Sequence, residues 1–150
     1  MRSHYANNTS VSVDRSRAEI ETILKKHGAE KFMYAWDADK AVIAFRAGNR
    51  NIKFAVPLPR REDFKATHTG RHRKISRIED IFEAETRRKW RALALLVKAK
   101  LVGVQDGIAS FETEFMPYTV LPNGRTVAEE VAPMIEDIYS SGKMIPLLTQ

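Results

Sequence analysis

Between Arg60 and Arg77 the sequence sets Arg60, Arg61, Lys65, Arg71, Arg73, Lys74 and Arg77 against two acids, Glu62 and Asp63. Such a cluster attracts polyanions over a Debye length of about 8 Å at physiological salt, and nucleic-acid phosphate is the commonest polyanion it would meet. The plainer reading is a solvated loop whose charge serves solubility. His68 and His72 lie inside the cluster, four residues apart. On a helix that spacing puts two imidazoles on one face, where Glu62 or Asp63 could complete a metal site. Gly70 and the absence of helical patterning argue against such a helix. The histidines, His72 first, therefore read as companions of the arginines in phosphate contact, and a metal-dependent nuclease is the weakest of the readings.

Two further groups of cations qualify. Arg46 and Lys53 fall on one face of a predicted sheet, as near cross-strand neighbours among small residues, where like charges are unfavourable unless water or an anion separates them. Arg87, Arg88 and Arg91, with Lys89, surround Trp90 on a predicted helix, although Trp90 itself reads as core. Nothing else in the chain has the form of a reaction centre. There is no glycine-rich phosphate loop, no HExxH and no nucleophile elbow. Cysteine is absent, which excludes a disulfide framework, a thiol nucleophile and thiolate metal ligation. The acid pairs Glu62-Asp63 and Glu79-Asp80 are adjacent in sequence, so their side chains diverge where metal-assisted catalysis wants convergence. No catalytic residue, metal or cofactor is assigned, and the reading leans away from an enzyme.

These residues need a scaffold, and 150 residues with 43% hydrophobic and 29% charged side chains suit one folded domain over 1–150. The net charge of +6 hides a gradient. Residues 1–59 carry ten basic and six acidic side chains, 60–100 thirteen and six, and 103–150 two and seven. The acidic C-terminal region, with Glu129, Glu130, Glu136 and Asp137, is a counter-surface for basic parts of the same molecule or of a twin, so self-association is open. No apolar run reaches the roughly 18 residues of a membrane span, and the N-terminus lacks a signal-peptide pattern. The expectation is a protein that does not enter membranes and works in a cytoplasm.

Element by element, the pattern predicts an α+β fold: an antiparallel sheet of three or four strands covered on one face by helices, with a long helix and a helical C-terminal region. Thr9 to Val13 could be a short edge strand. Asp14 or Ser16 could cap a helix carrying Ile20, Ile23, Leu24 and His27 on one stripe and ending at Gly28. Strands KFMYAW, AVIAFR and NIKFAVPL follow, joined at Ala38-Asp39 and at Gly48-Asn49 or Asn49-Arg50. Period-two alternation then gathers Phe32, Tyr34, Trp36, Ile43, Phe45, Ile52, Phe54 and Val56 on a face to be covered, with Phe32 opposite Phe45. Met33, Ala35, Val42, Ala44, Arg46, Lys53 and Ala55 take the open face. Pro57 and Pro59 close the sheet.

After the basic loop, Ile78 to Val104 reads as one helix roughly 40 Å long, with acids early and bases late. A short helix over Ile108 to Met116 comes next, then an extended Tyr118 to Leu121. The capping box Thr126-Val127-Ala128-Glu129 opens a last helix with Val127, Val131, Ile135 and Ile138 turned inward.

As a set, YANNTSVSVDRSRAEIETILKKHGA, KAVIAFR followed by IKFAVPLP, RRKWRALALLVKAKL and FETEFMPYTVLPNGRTVAEE resemble a family of small uncharacterised proteins encoded by bacteriophages and prophages. The resemblance implies a phage-type gene, and with it the cytoplasm of a bacterial host cell, and transfers no activity. The leading expectation is a non-enzymatic nucleic-acid-binding protein, for DNA more than RNA, making electrostatic backbone contacts. Duplex is favoured over single strands because the parity argument buries the aromatic rings that stacking would need. The alternative is a protein–protein module whose basic loop meets an acidic partner surface.

Overall fold

A computed structural model describes residues 9–143. The chain runs α1 (Val13–Lys26), β1 (Ala29–Trp36), β2 (Lys40–Ala47), β3 (Arg50–Pro57), a 3-10 turn (Arg61–Phe64), α2 (Ile75–Gln105), α3 (Phe111–Phe115), a second 3-10 turn (Met116–Tyr118) and α4 (Val127–Ser141). This is the expected α+β arrangement, with a three-stranded antiparallel sheet in the order β1-β2-β3.

The start of the chain corrects two expectations. Thr9 to Ser12 forms no strand, and the first helix is capped by neither Asp14 nor Ser16. Ser12 is the cap, its hydroxyl accepting the Arg15 N–H at 3.2 Å. Beginning one turn earlier lets Val13 pack against the core and buries Ser16 completely. Gly28, with φ +79°, ends the helix as glycine can without a Cβ penalty.

Turn chemistry sets most of the sheet register. Asp37 accepts the backbone N–H groups of Asp39 (2.8 Å) and Lys40 (2.9 Å), bonds that hold its carboxyl below the usual carboxylate range. The first hairpin therefore pairs Trp36 with Ala41 and Tyr34 with Ile43. The second pairs Ala47 with Arg50 and Phe45 with Ile52, which fixes its tip at Gly48-Asn49. Phe32 does not pair with Phe45. The register slips between Glu30 and Met33, where Lys31 takes φ 52°, and the slip sets Glu30 opposite Arg46.

One face of the sheet is covered by Ile20 and Leu24 of α1 and by Trp90, Leu93, Ala94, Val97 and Leu101 of α2, which pack with Ile43, Phe45, Ile52, Phe54 and Val56. Phe115 closes this core edge-on to Phe45 and Phe54, with ring centroids 6.3 and 6.2 Å away. Trp36 is the exception to the parity argument. It is 69% exposed at the end of an edge strand, stacked on the ring of Tyr34 5.1 Å away. The other edge of the sheet is closed by the extended segment after α3, where the Val120 N–H donates to the Asn51 carbonyl at 2.7 Å.

α2 starts three residues ahead of the expected Ile78 and runs for 31 residues. α4 opens on the expected box, with Thr126 Oγ1 accepting the Glu129 N–H at 3.2 Å and Glu129 accepting the Thr126 N–H at 2.7 Å. Its expected inward stripe is not inward. No residue of α4 is buried, and Val131, Met134 and Ile135 are 38%, 45% and 47% exposed. α4 packs chiefly against the second 3-10 turn that precedes it, and not across α1, α2 or the sheet. Among the described residues no helix is long and apolar enough to cross a membrane.

Candidate nucleic-acid interface

The basic segment is folded. After Pro59, Asp63 reaches back toward the Arg60 N–H (3.4 Å) and fixes the 3-10 turn. The chain then doubles back on itself. Arg73 N–H donates to the Lys65 carbonyl at 2.8 Å, Ala66 bridges His72, and Thr67 N–H donates to the Arg71 carbonyl at 2.8 Å. Gly70, at φ +80°, supplies the left-handed residue of this tight turn. Arg73 braces the hairpin from inside, its guanidinium donating to the carbonyls of Phe64 and Ala66. A guanidinium engaged with two carbonyls is a structural strut, so Arg73 leaves the set of candidate contacts.

The remaining candidates divide by whether an acid neutralises them. Arg60 pairs with Asp39 at 2.7 Å, and Arg61 pairs with Glu79 at 2.6 Å while lying 4.0 Å over the Phe82 ring. That hydrogen bond raises the Arg61 pKa further and holds the Glu79 carboxyl below its ordinary range. Lys53 meets Glu129 at 3.6 Å and the Gly124 carbonyl at 3.2 Å. Glu129 is lowered first by the Thr126 N–H it accepts and then by Lys53. On α2, Arg87 lies 3.9 Å from Glu83, Arg88 lies 2.8 Å from Glu85, and Arg91 bonds Glu19 of α1. The expected cationic surface around Trp90 is therefore largely neutral, and Trp90 is 1% exposed in the core.

Lys65, Arg71, Lys74 and Arg77 have no acid within 4 Å among the described residues. All four are exposed, as are His68 in the turn and His72 on the returning arm. The hairpin delivers them to the start of α2, where Lys74 is the N-cap without a side-chain hydrogen bond and the first turn holds no acid. The positive end of the helix dipole and the cations add to one another there, a combination that disfavours the helix unless an anion is near. Arg46, although opposite Glu30 in register, also has no acid within 4 Å among the described residues and donates to the Gly48 carbonyl at 3.3 Å. It lies on the sheet, diagonal to Lys53 and away from the hairpin in sequence, since Lys53 pairs with Ala44 and Arg46 with Asn51.

The histidines and nearby acids do not assemble a metal site: among the described residues no group of three or more His, Asp or Glu is gathered where one ion could be held. Sequence reasoning missed a cleft between the β1–β2 turn and the first 3-10 turn, lined by Trp36, Asp37, Asp39, Arg60, Arg61 and Phe82, with Glu62 and Asp63 on its rim. Four acids against two paired arginines make it repel phosphate in spite of its exposed indole. Asp37 and Asp39, which flank the tip of the first hairpin, were the available signal.

Fold and patch together define an α+β protein, one sheet face under two helices, with a bare cationic hairpin at the head of its long helix. No protein-family model, curated protein or solved structure matches the chain.

Proposed function

We propose that the protein binds the phosphate backbone of nucleic acid on the Lys65–Arg77 hairpin, with Lys65, Arg71, Lys74 and Arg77 as the principal contacts and His68 and His72 beside them. One observation carries the reading. Where Arg60, Arg61, Arg87, Arg88 and Arg91 each meet an acid, these four stand together with none within 4 Å among the described residues, on ordered backbone that runs into an uncapped helix start. Contacts of this kind position a duplex and read no bases, so the binding is weakly sequence-specific. The one strongly exposed tryptophan stands in the acidic cleft, which supports backbone contact to duplex DNA over base stacking on a single strand.

Fluorescence polarisation with labelled duplex and single-stranded DNA, at two salt concentrations and with or without magnesium, tests this. Duplex binding should weaken with salt at a log–log slope near −3.6, about 0.9 for each of four neutralised phosphates. Replacing the four cations by Ala should remove most of that slope, whereas Arg87→Ala with Arg88→Ala should leave it. Absence of oligonucleotide binding at low salt would overturn the proposal in favour of an acidic protein surface as the partner. Magnesium-dependent cleavage would overturn its non-enzymatic character.

A further inference from the structure

We infer that the protein forms a reciprocal dimer in which α4 of each subunit lies across the open face of its partner's sheet. Two apolar surfaces coexist that have no partner among the described residues. On α4, Val131, Met134, Ile135 and Ile138 recur at i, i+3, i+4 and i+7, one helical stripe, and all are exposed or half-buried. On the sheet, Met33 (56% exposed), Ala35, Val42, Ala44 and Ala55 make an apolar field facing away from α1 and α2. A helix stripe laid on a sheet of small residues is a standard way to bury both.

Charge selects a second copy as the occupant. The helix Val127–Ser141 carries four acids and no cation. Glu129 and Glu130 meet Lys53 and Arg125 of their own chain, while Glu136 and Asp137 have no cation within 4 Å among the described residues, and Asp137 borders the stripe. The open face carries the outward-facing Lys40, Arg46 and Lys53 against one acid, Glu30, and Lys40 and Arg46 have no acid within 4 Å among the described residues. The free charges on the helix are thus negative, and those on the face, Lys40 and Arg46 against Glu30, are positive on balance. Pairing α4 with another α4 would instead crowd acids against acids. Because each subunit owns both surfaces, exchanging them about a two-fold axis closes the assembly without leaving a sticky end.

Sedimentation or light scattering of the full chain from about 1 to about 100 µM should give twice the 17.1 kDa chain mass. Ile135→Asp and Ala44→Glu, each at a solvent-facing position, should separately yield monomers with unchanged far-UV circular dichroism. Mixing the two variants should restore dimer in part, since one helix-on-face contact remains intact in the mixed pair. A monomeric parent chain at the highest concentration overturns the inference. So does a dimer that survives Ala44→Glu, which would mean that α4 docks elsewhere. If either variant loses its circular dichroism, Met134→Asp and Ala55→Glu serve in its place under the same criteria. The dimer stands apart from the nucleic-acid reading: the hairpin cations are outside both surfaces, so failure of one experiment leaves the other unaffected.

Discussion

Arg71, Lys74 and Arg77 lead into α2, and Arg87, Arg88 and Arg91 follow about three turns later. The two triplets look alike in the sequence and differ in the folded molecule. Glu83 and Glu85 sit one helical turn before Arg87 and Arg88, and α1 brings Glu19 to Arg91, so the second triplet is neutralised. At the hairpin, Asp63 turns back toward the Arg60 N–H, and Glu79 takes Arg61. Among the described residues no acid lies within 4 Å of the first triplet. A count of charges along a chain therefore overstates what a partner can reach. The fold's own distribution of carboxylates decides which cations stay available.

The sharpest way to probe this contrast is to ask what holds each part of α2. Its middle is held by burial. Trp90→Ala removes a fully buried indole that packs 5.3 Å from the Tyr34 ring, and should cost about 3–5 kcal/mol of unfolding free energy by urea titration. Its beginning is held by little: Ile75, 79% exposed, should tolerate Ala within about 0.5 kcal/mol. Equal losses from the two substitutions would mean that the head of α2 packs against something and is not free to meet a ligand.

A smaller effect separates the cations themselves. The Arg91–Glu19 pair is mostly shielded from water, with side chains 23% and 30% exposed, and it ties α1 to α2. Arg91→Ala should lower stability by roughly 1 kcal/mol and leave the salt dependence of DNA binding unchanged. Arg71→Ala should do the reverse, with no measurable change in stability and a salt slope shallower by about 0.9. If both variants moved stability and neither moved the slope, the division between structural and available cations would be wrong.

Much of the scaffold was legible because local chemistry and tertiary structure agree in it. Asp37 through Lys40 and Ala47 through Arg50 announced the hairpins, and Thr126 with Glu129 announced α4. Three features were not. A lysine gives no sign that it will adopt a positive φ, so the bulge at Lys31 and the slipped pairing of Phe32 could not be read. Parity assigns a face to Trp36 and Val131 without saying whether anything covers that face, and nothing covers either fully. The site suffered most from pairings between distant positions. Glu85 with Arg88 is visible at i, i+3, but Glu19 with Arg91 and Asp39 with Arg60 exist only once the helices and turns are in place.

The Arg61–Glu79 contact gives the finest test, because it marks the border between paired and free cations. Glu79 has a folded-state pKa below its ordinary 4.5, chiefly through the hydrogen bond from Arg61. A carboxyl depressed in this way stabilises the fold above its unfolded pKa, and that contribution fades as pH falls from 4.5 through the lowered folded value. Carboxyl resonances followed by NMR should therefore give Glu79 a midpoint below 4.5 in the parent chain and one close to it in Arg61→Ala. Both groups are open to solvent, so the shift should also shrink in high salt. An unshifted Glu79 would release Arg61 from its partner and return it to the hairpin's free cations. The four-contact salt slope would then be expected to rise by about 0.9, toward that of five contacts.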